Sequence, residues 1–218
     1  MRIIATVTRP TSGTLRYEGT DLTAAPDAVR RHLGYLPQDF GAYPHLTARE
    51  FLRYLAAAKG LSARSARARI EELLELVNLT GAPKRPLGAY SGGMLRRVGI
   101  AQALLGDPRV IVVDEPTAGL DPEERVRFRN LLSRLSADRV VLLSTHIVSD
   151  VESVGSDIAV RAGGRLLRRG APEELAADLQ GQVWELLVDP ASVPAVQSRH
   201  VVSRMVRGSS GVRLRAII

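Results

Sequence analysis

The sequence predicts an α/β domain built on a mostly parallel sheet. Short aliphatic runs at residues 110–113 and 140–143 lie between stretches of helical period, the alternation of strand and crossover helix. Each run is too short for a helix and too apolar for a surface, so both read as buried strands. Past residue 157 the pattern changes to short strands, and a small β-containing appendage is entered near Gly181.

The elements follow in order. Residues 14–17 and 34–36 read as strands. Residues 47–59 and 62–77, rich in Ala, Leu and Arg, read as two helices with Gly60 as the stop between them, within a helical insertion spanning about 45–105. A helix over 91–105 precedes the strand at 110–113. Asp121 suits an N-cap and Pro122 the first turn of the next helix. Residues 140–144 form the second aliphatic strand. Gly163-Gly164 turns a hairpin between 158–161 and 165–168, and the runs at 183–188, 201–206 and 212–217 read as strands. The expected division is residues 1–180 as the main domain and 181–218 as the appendage.

Composition narrows the function. With 45% hydrophobic and 24% charged residues among 218, the chain is an ordinary globular one. Its longest aliphatic runs fall far short of the roughly 18 residues that cross a bilayer. Residues 3–7 are too few for the apolar core of a signal peptide, and the chain has no cysteine for disulfides, so it reads as cytosolic. The net charge of +7 is spread thinly: residues 1–150 hold 21 basic and 16 acidic side chains, and 151–218 hold 9 and 7. No basic block forms, and nucleic acid is not an expected partner. His32, His45, His146 and His200 have no metal-ligand spacing.

The chemistry gathers where the strand 110–113 ends in Asp114-Glu115. Two carboxylates emerging together at the C-terminal end of a buried strand stand where open α/β sheets place their ligands. One can hold Mg²⁺ beside substrate phosphates while its neighbour polarises an attacking water. Strand ends capped by solvated acids look the same in isolation. Upstream, Ser91-Gly92-Gly93 places an N-cap and two uncovered backbone N–H groups at a positive helix end, which is a phosphate cradle or a plain capped loop. Gln38 follows the strand 34–36, Asp121 opens a helix, and His146 sits just past the strand 140–144.

In their order and spacing, Gln38, Ser91-Gly92-Gly93, Asp114-Glu115-Pro116-Thr117, Asp121 and His146 closely resemble the ATPase subunit of ATP-binding cassette (ABC) transporters. The resemblance covers about residues 1–175. It implies a P-loop NTPase-like ABC ATPase core with a helical insertion and the small C-terminal β-containing appendage. It further implies that Gln38 is the Q-loop glutamine reaching Mg²⁺, and that Ser91, Gly92 and Gly93 are the signature gripping the γ-phosphate of ATP on an opposing subunit. By the same resemblance Asp114 is the Walker B metal carboxylate, Glu115 the general base, Asp121 the D-loop residue at the dimer interface and His146 the switch histidine. Tyr90 and Met94 stand where the family more often has Leu and Gln.

No Gly-x-x-x-x-Gly-Lys-Ser/Thr occurs in the 218 residues, and a P-loop needs that run to wrap phosphates in backbone N–H groups and aim an ammonium at them. The resemblance makes residues 2–5 the continuation of the helix that the P-loop begins, so the core is expected to lack its P-loop strand. Met1 is then expected to be an internal methionine, with the missing motif encoded immediately upstream. The expected function is the ATP-binding and ATP-hydrolysing subunit of an ABC exporter of the drug or antibiotic efflux type. Its cofactors are ATP and Mg²⁺ and its partners a membrane permease and a second ATPase subunit, identical or not, at the cytoplasmic face of the membrane. Without Walker A, the 218 residues alone are expected to be inactive. Two alternatives stay open: a non-hydrolysing regulatory relative, and a soluble ABC ATPase acting on ribosomes or DNA, which usually has two cassettes in one chain.

Overall fold

Regular structure begins with an antiparallel hairpin, β1 (Arg16–Tyr17) and β2 (Thr20–Asp21). Glu18 and Gly19 turn it with positive φ of 48° and 82°, a backbone that follows the natural twist of the paired strands. The computed structural model describes residues 1–81, 84–177 and 180–218, which fall into two units, Met1–Val154 and Gly155–Ile218.

In the first unit the short helix α1 (Asp27–Arg30) leads into β3 (Leu33–Leu36). Helix α2 (Ala48–Ala58) starts at Thr47, whose hydroxyl accepts the Glu50 N–H while the Glu50 carboxylate accepts the Thr47 N–H at 2.9 Å. This capping box satisfies two backbone donors that the helix leaves unpaired. Ser62 caps α3 (Ala63–Leu76), and α4 (Gly92–Leu104), β4 (Val110–Asp114), α5 (Pro122–Leu135), β5 (Val140–Ser144) and α6 (Val148–Val154) complete the unit.

The three long strands make a parallel sheet in the order β3-β4-β5, with Leu36 beside Val113 and Asp114 beside Ser144. The pleat of β4 sends Ile111 and Val113 into the larger core, formed with α2, α3, α4 and α5, and Val112 into a smaller core with Ala5, Leu22, Val29 and Leu33. That double coverage is why β4 reads as an unbroken β-branched run. Strand β3 lies so close to α4 that a Cβ on Gly34 would stand 2.3 Å from the Ala103 carbonyl oxygen.

Three features differ from the sequence reading. Strand β5 forms where expected, but none of its residues is fully buried and Val140 is 57% exposed. Among the described residues it pairs on one side only, with β4. Residues 2–6 form turns instead of a helix. The Ala5 N–H reaches Met1 O at 2.9 Å, yet Thr6 takes a positive φ of 56° and the coil does not propagate. The units divide between Val154 and Gly155, upstream of the boundary read near Gly181. The hairpin that glycines signalled, β6 (Ile158–Ala162) with β7 (Arg165–Gly170), forms a separate two-stranded sheet and falls in the second unit.

The second unit continues with α7 (Pro172–Ala177), β8 (Val183–Val188), α8 (Val193–Arg199), β9 (Val201–Gly208) and β10 (Gly211–Ile217). β10 pairs with both β8 and β9, and Val193 of α8 packs on Val212 and Leu214. Among the described residues no helix is long and apolar enough to cross a membrane.

Candidate functional site

Strands β4 and β5 end side by side, with Asp114 the last residue of β4 and Glu115 and His146 in the loops that follow the two strands. Asp114 faces Ser144, whose hydroxyl donates to Asp114 Oδ1; no other hydrogen bond reaches this carboxylate among the described residues. The Glu115 N–H continues the pairing to Ser144 O at 3.0 Å. Glu115 itself takes a φ of +47°, a left-handed backbone that non-glycine residues seldom adopt and that costs on the order of 1 kcal/mol or more. This turn directs the carboxylate toward the loop after β5, where Oε2 lies 2.8 Å from His146 Nδ1. Oε2 is buried and accepts no hydrogen bond among the described residues, so the approach of Nδ1 is a close polar contact, and the imidazole is 74% exposed.

Gln38 leaves the sheet at the same edge. It lies two residues beyond Leu36, whose partner Val113 immediately precedes Asp114. Its side chain has no hydrogen-bond partner among the described residues, but the segment is anchored: Arg96 of α4 donates to Pro37 O at 3.0 Å, and Phe40 meets Phe51 edge to face at 5.8 Å. Burial lowers the pKa of the Arg96 guanidinium. Burial first, and the Asp114 charge second, raise that of the Tyr35 phenol on β3.

Ser91, Gly92, Gly93 and Asp121 occupy a second locus. Ser91 caps α4, accepting the Met94 N–H at 3.2 Å; the first helical bond runs from Leu95 N–H to Ser91 O. The N–H groups of Gly92 and Gly93 precede that bond and have no helical acceptor. Asp121 caps α5 by accepting the Glu124 N–H at 2.9 Å. The two helix starts adjoin: a Cβ on Gly93 would meet Glu124 Cγ at 3.3 Å, and Glu124 pairs with Arg97 at 3.3 Å. Among the described residues no hydrogen bond or ion pair joins this locus to Glu115 or His146.

Ser144, Thr117, Asp150, Arg96 and Glu124 do not stand out in the sequence, although Thr117 lies inside Asp114-Glu115-Pro116-Thr117. Only pairing register and burial reveal them; Thr117 and Asp150 are each 1% exposed. Among the described residues no group of three or more His, Asp or Glu side chains could hold a metal ion unaided. A hard cation that brings phosphate oxygens needs only one or two protein oxygens, and Asp114 with Gln38 at one sheet edge meets that need.

The family model described as ABC transporter matches residues 1–118. The chain is 35% identical over 206 residues to the uncharacterized ABC transporter ATP-binding protein YxlF of Bacillus subtilis, covering 94% of this chain and 68% of that one. It is 35% identical over 215 residues to the daunorubicin/doxorubicin resistance ATP-binding protein DrrA of Streptomyces peucetius, covering 98% and 64%. To the Nod factor export ATP-binding protein I of Ralstonia nicotianae it is 35% identical over 176 residues, covering 80% and 55%. A solved ATP-binding subunit of an ABC transporter superposes with a TM-score of 0.71 at 28% identity, covering 82% of this chain and 75% of that one.

Proposed function

The chain belongs to the ABC transporter family, and from that premise we propose that it is the ATP-hydrolysing subunit of an exporter, nearest to the drug and antibiotic efflux type. The observation that carries this reading is the approach of Glu115 and His146 just past the adjacent ends of β4 and β5, where β4 ends in Asp114. Bound MgATP supplies the phosphoanhydride to be cleaved and a cation that neutralises charge on its phosphates.

The residues divide the work by their surroundings. Asp114, anchored through one oxygen by Ser144, would offer the other to Mg²⁺, with Gln38 as the companion residue that would supply an oxygen ligand. Glu115 accepts the proton of the attacking water, and His146 holds its carboxylate in line and senses the γ-phosphate. Ser91, Gly92 and Gly93 present a hydroxyl and free N–H groups to nucleotide held by the opposing subunit, with Asp121 at the dimer interface. The separation of the two loci supports a site completed in trans by a second subunit, identical or not. The phosphate-wrapping Gly-x-x-x-x-Gly-Lys-Ser/Thr is not among these 218 residues, so turnover requires an assembly that includes it.

Permease docking is assigned to residues 41–47, at the cytoplasmic face of the membrane. Tyr43 is 49% exposed and stands 5.8 Å from Tyr54 in an edge-to-face pair, an aromatic ledge suited to a partner helix. The test is ATP hydrolysis by the subunit assembled with its permease. Turnover that vanishes with Glu115→Gln supports the reading; an assembly that hydrolyses ATP equally well without this carboxylate contradicts it.

A further inference from the structure

The structure offers a second link, from the loop that holds Glu115 to the first turn of α6, just beyond the loop that holds His146. Thr117 stands two residues after Glu115, and Asp150 stands one helical turn after His146. Thr117 Oγ1 donates to Asp150 Oδ2, and both side chains are 1% exposed, the two buried polar side chains among the described residues. Asp150 Oδ1 accepts no hydrogen bond; its nearest cation is Arg129, with Nη1 at 3.7 Å, which donates instead to Ser149 O at 3.2 Å. A carboxylate this deeply buried and incompletely paired is costly, and an apolar pair of similar size would serve the core as well or better.

What the pair does is fix geometry. The backbone on each side is already tied: Leu120 N–H reaches Thr117 O at 3.1 Å, Ile147 N–H reaches Thr145 Oγ1 at 3.0 Å, and Asp150 N–H reaches Ile147 O at 3.0 Å. Two locally stiff segments joined at one point can pivot, whereas two ties hold their relative angle. We propose that Asp150 is a positioning residue that, through Thr117, sets the approach of His146 to Glu115. The inference rests on the reading of Glu115 and His146 as the catalytic pair, but the contact it concerns is measurable without turnover.

The test follows the His146 imidazole signal in a carbon–proton correlation spectrum of the 218-residue chain at fixed pH. His146→Gln assigns the signal, and Glu115→Ala marks the position of an unpartnered ring. Thr117→Val, which keeps the shape and removes the donor, is expected to move the signal to the Glu115→Ala position, and Thr117→Ser to leave it at the wild-type one. The double variant T117V/D150L leaves no buried carboxylate unpaired, so it reads the same signal if Thr117→Val fails to fold. It is expected to melt no lower than wild type and still lose the paired signal. A paired signal retained in a folded Thr117→Val or double variant overturns the proposal, as does a signal that Glu115→Ala does not move. Turnover by the assembled subunit that persists after the Glu115–His146 signal is lost would count against the catalytic reading alone.

Discussion

Glu115 Oε2 and His146 Nδ1 lie 2.8 Å apart, although the two residues belong to different loops and one is mostly buried while the other is mostly exposed. The contact depends on Glu115 adopting a left-handed backbone, which turns its carboxylate away from the line of β4 and toward the loop after β5. Neither residue has another described partner that would duplicate this arrangement. In the permease-bound assembly, His146→Ala is expected to lower the rate of ATP hydrolysis by about 100-fold or more, with nucleotide binding changed far less. Steady-state hydrolysis and equilibrium binding on the same preparations check both halves.

The 218-residue chain by itself is expected to bind MgATP negligibly, because a signature end and a Walker B end make only part of a phosphate site. A calorimetric titration checks this. Saturable micromolar binding would mean that other backbone donors in the chain replace the P-loop.

Much of this was legible in the sequence, for identifiable reasons. Strands buried on both faces leave unbroken β-branched runs, so β4 could be read directly, and its carboxylates are placed by the strand's end. Thr47, Ser62, Ser91 and Asp121 cap helices as their residue types foretell. The short helices α1, α6, α7 and α8 span one or two turns and leave too little period to see. The exposure of β5 was hidden because an aliphatic run does not say how many of its edges are paired. Asp150 was illegible for a deeper reason: a buried acid looks in sequence like any surface acid until its neighbours are placed.

Gly34 tests the packing that positions the sheet edge. Adding a Cβ at 2.3 Å from the Ala103 carbonyl oxygen forces β3 and α4 apart, because the obstacle is backbone and cannot rotate away. Gly34→Ala is expected to destabilise the first unit by about 1–3 kcal/mol, with Gly41→Ala, which meets nothing within 4 Å, near neutral. Urea unfolding of the two variants compares them.

Acid sensitivity of the helical region follows from two carboxylates. The Arg49 fork lowers the pKa of Glu71, and hydrogen bonds from the Thr47 backbone and hydroxyl lower that of Glu50. A depressed folded-state pKa gives stability that is present above the ordinary carboxylate pKa and is lost as pH falls through the folded value. The melting temperature is expected to fall on acidification below about pH 4.5. Glu71→Gln should be less stable near neutrality and show a shallower decline. Parallel curves for variant and wild type would remove this pair from the explanation.

Docking is tested at Tyr43 alone. Leu46 in the same loop packs against the main core, so a charge there would perturb folding first. Tyr43→Asp is expected to reduce co-purification with the permease and uncouple hydrolysis from transport while leaving the melting temperature within a few degrees. Undiminished co-purification would move the docking surface elsewhere.

The central claim is that neighbouring carboxylates at the end of β4 have different tasks, Asp114 toward the metal and Glu115 toward the water. The most direct measurement compares MgATP binding and turnover for Asp114→Asn and Glu115→Gln in the assembled subunit. The account predicts that Glu115→Gln keeps MgATP affinity within a few-fold, abolishes turnover and traps the closed pair of subunits, whereas Asp114→Asn weakens Mg²⁺-dependent binding itself. Equal losses of binding and turnover in the two variants would contradict it.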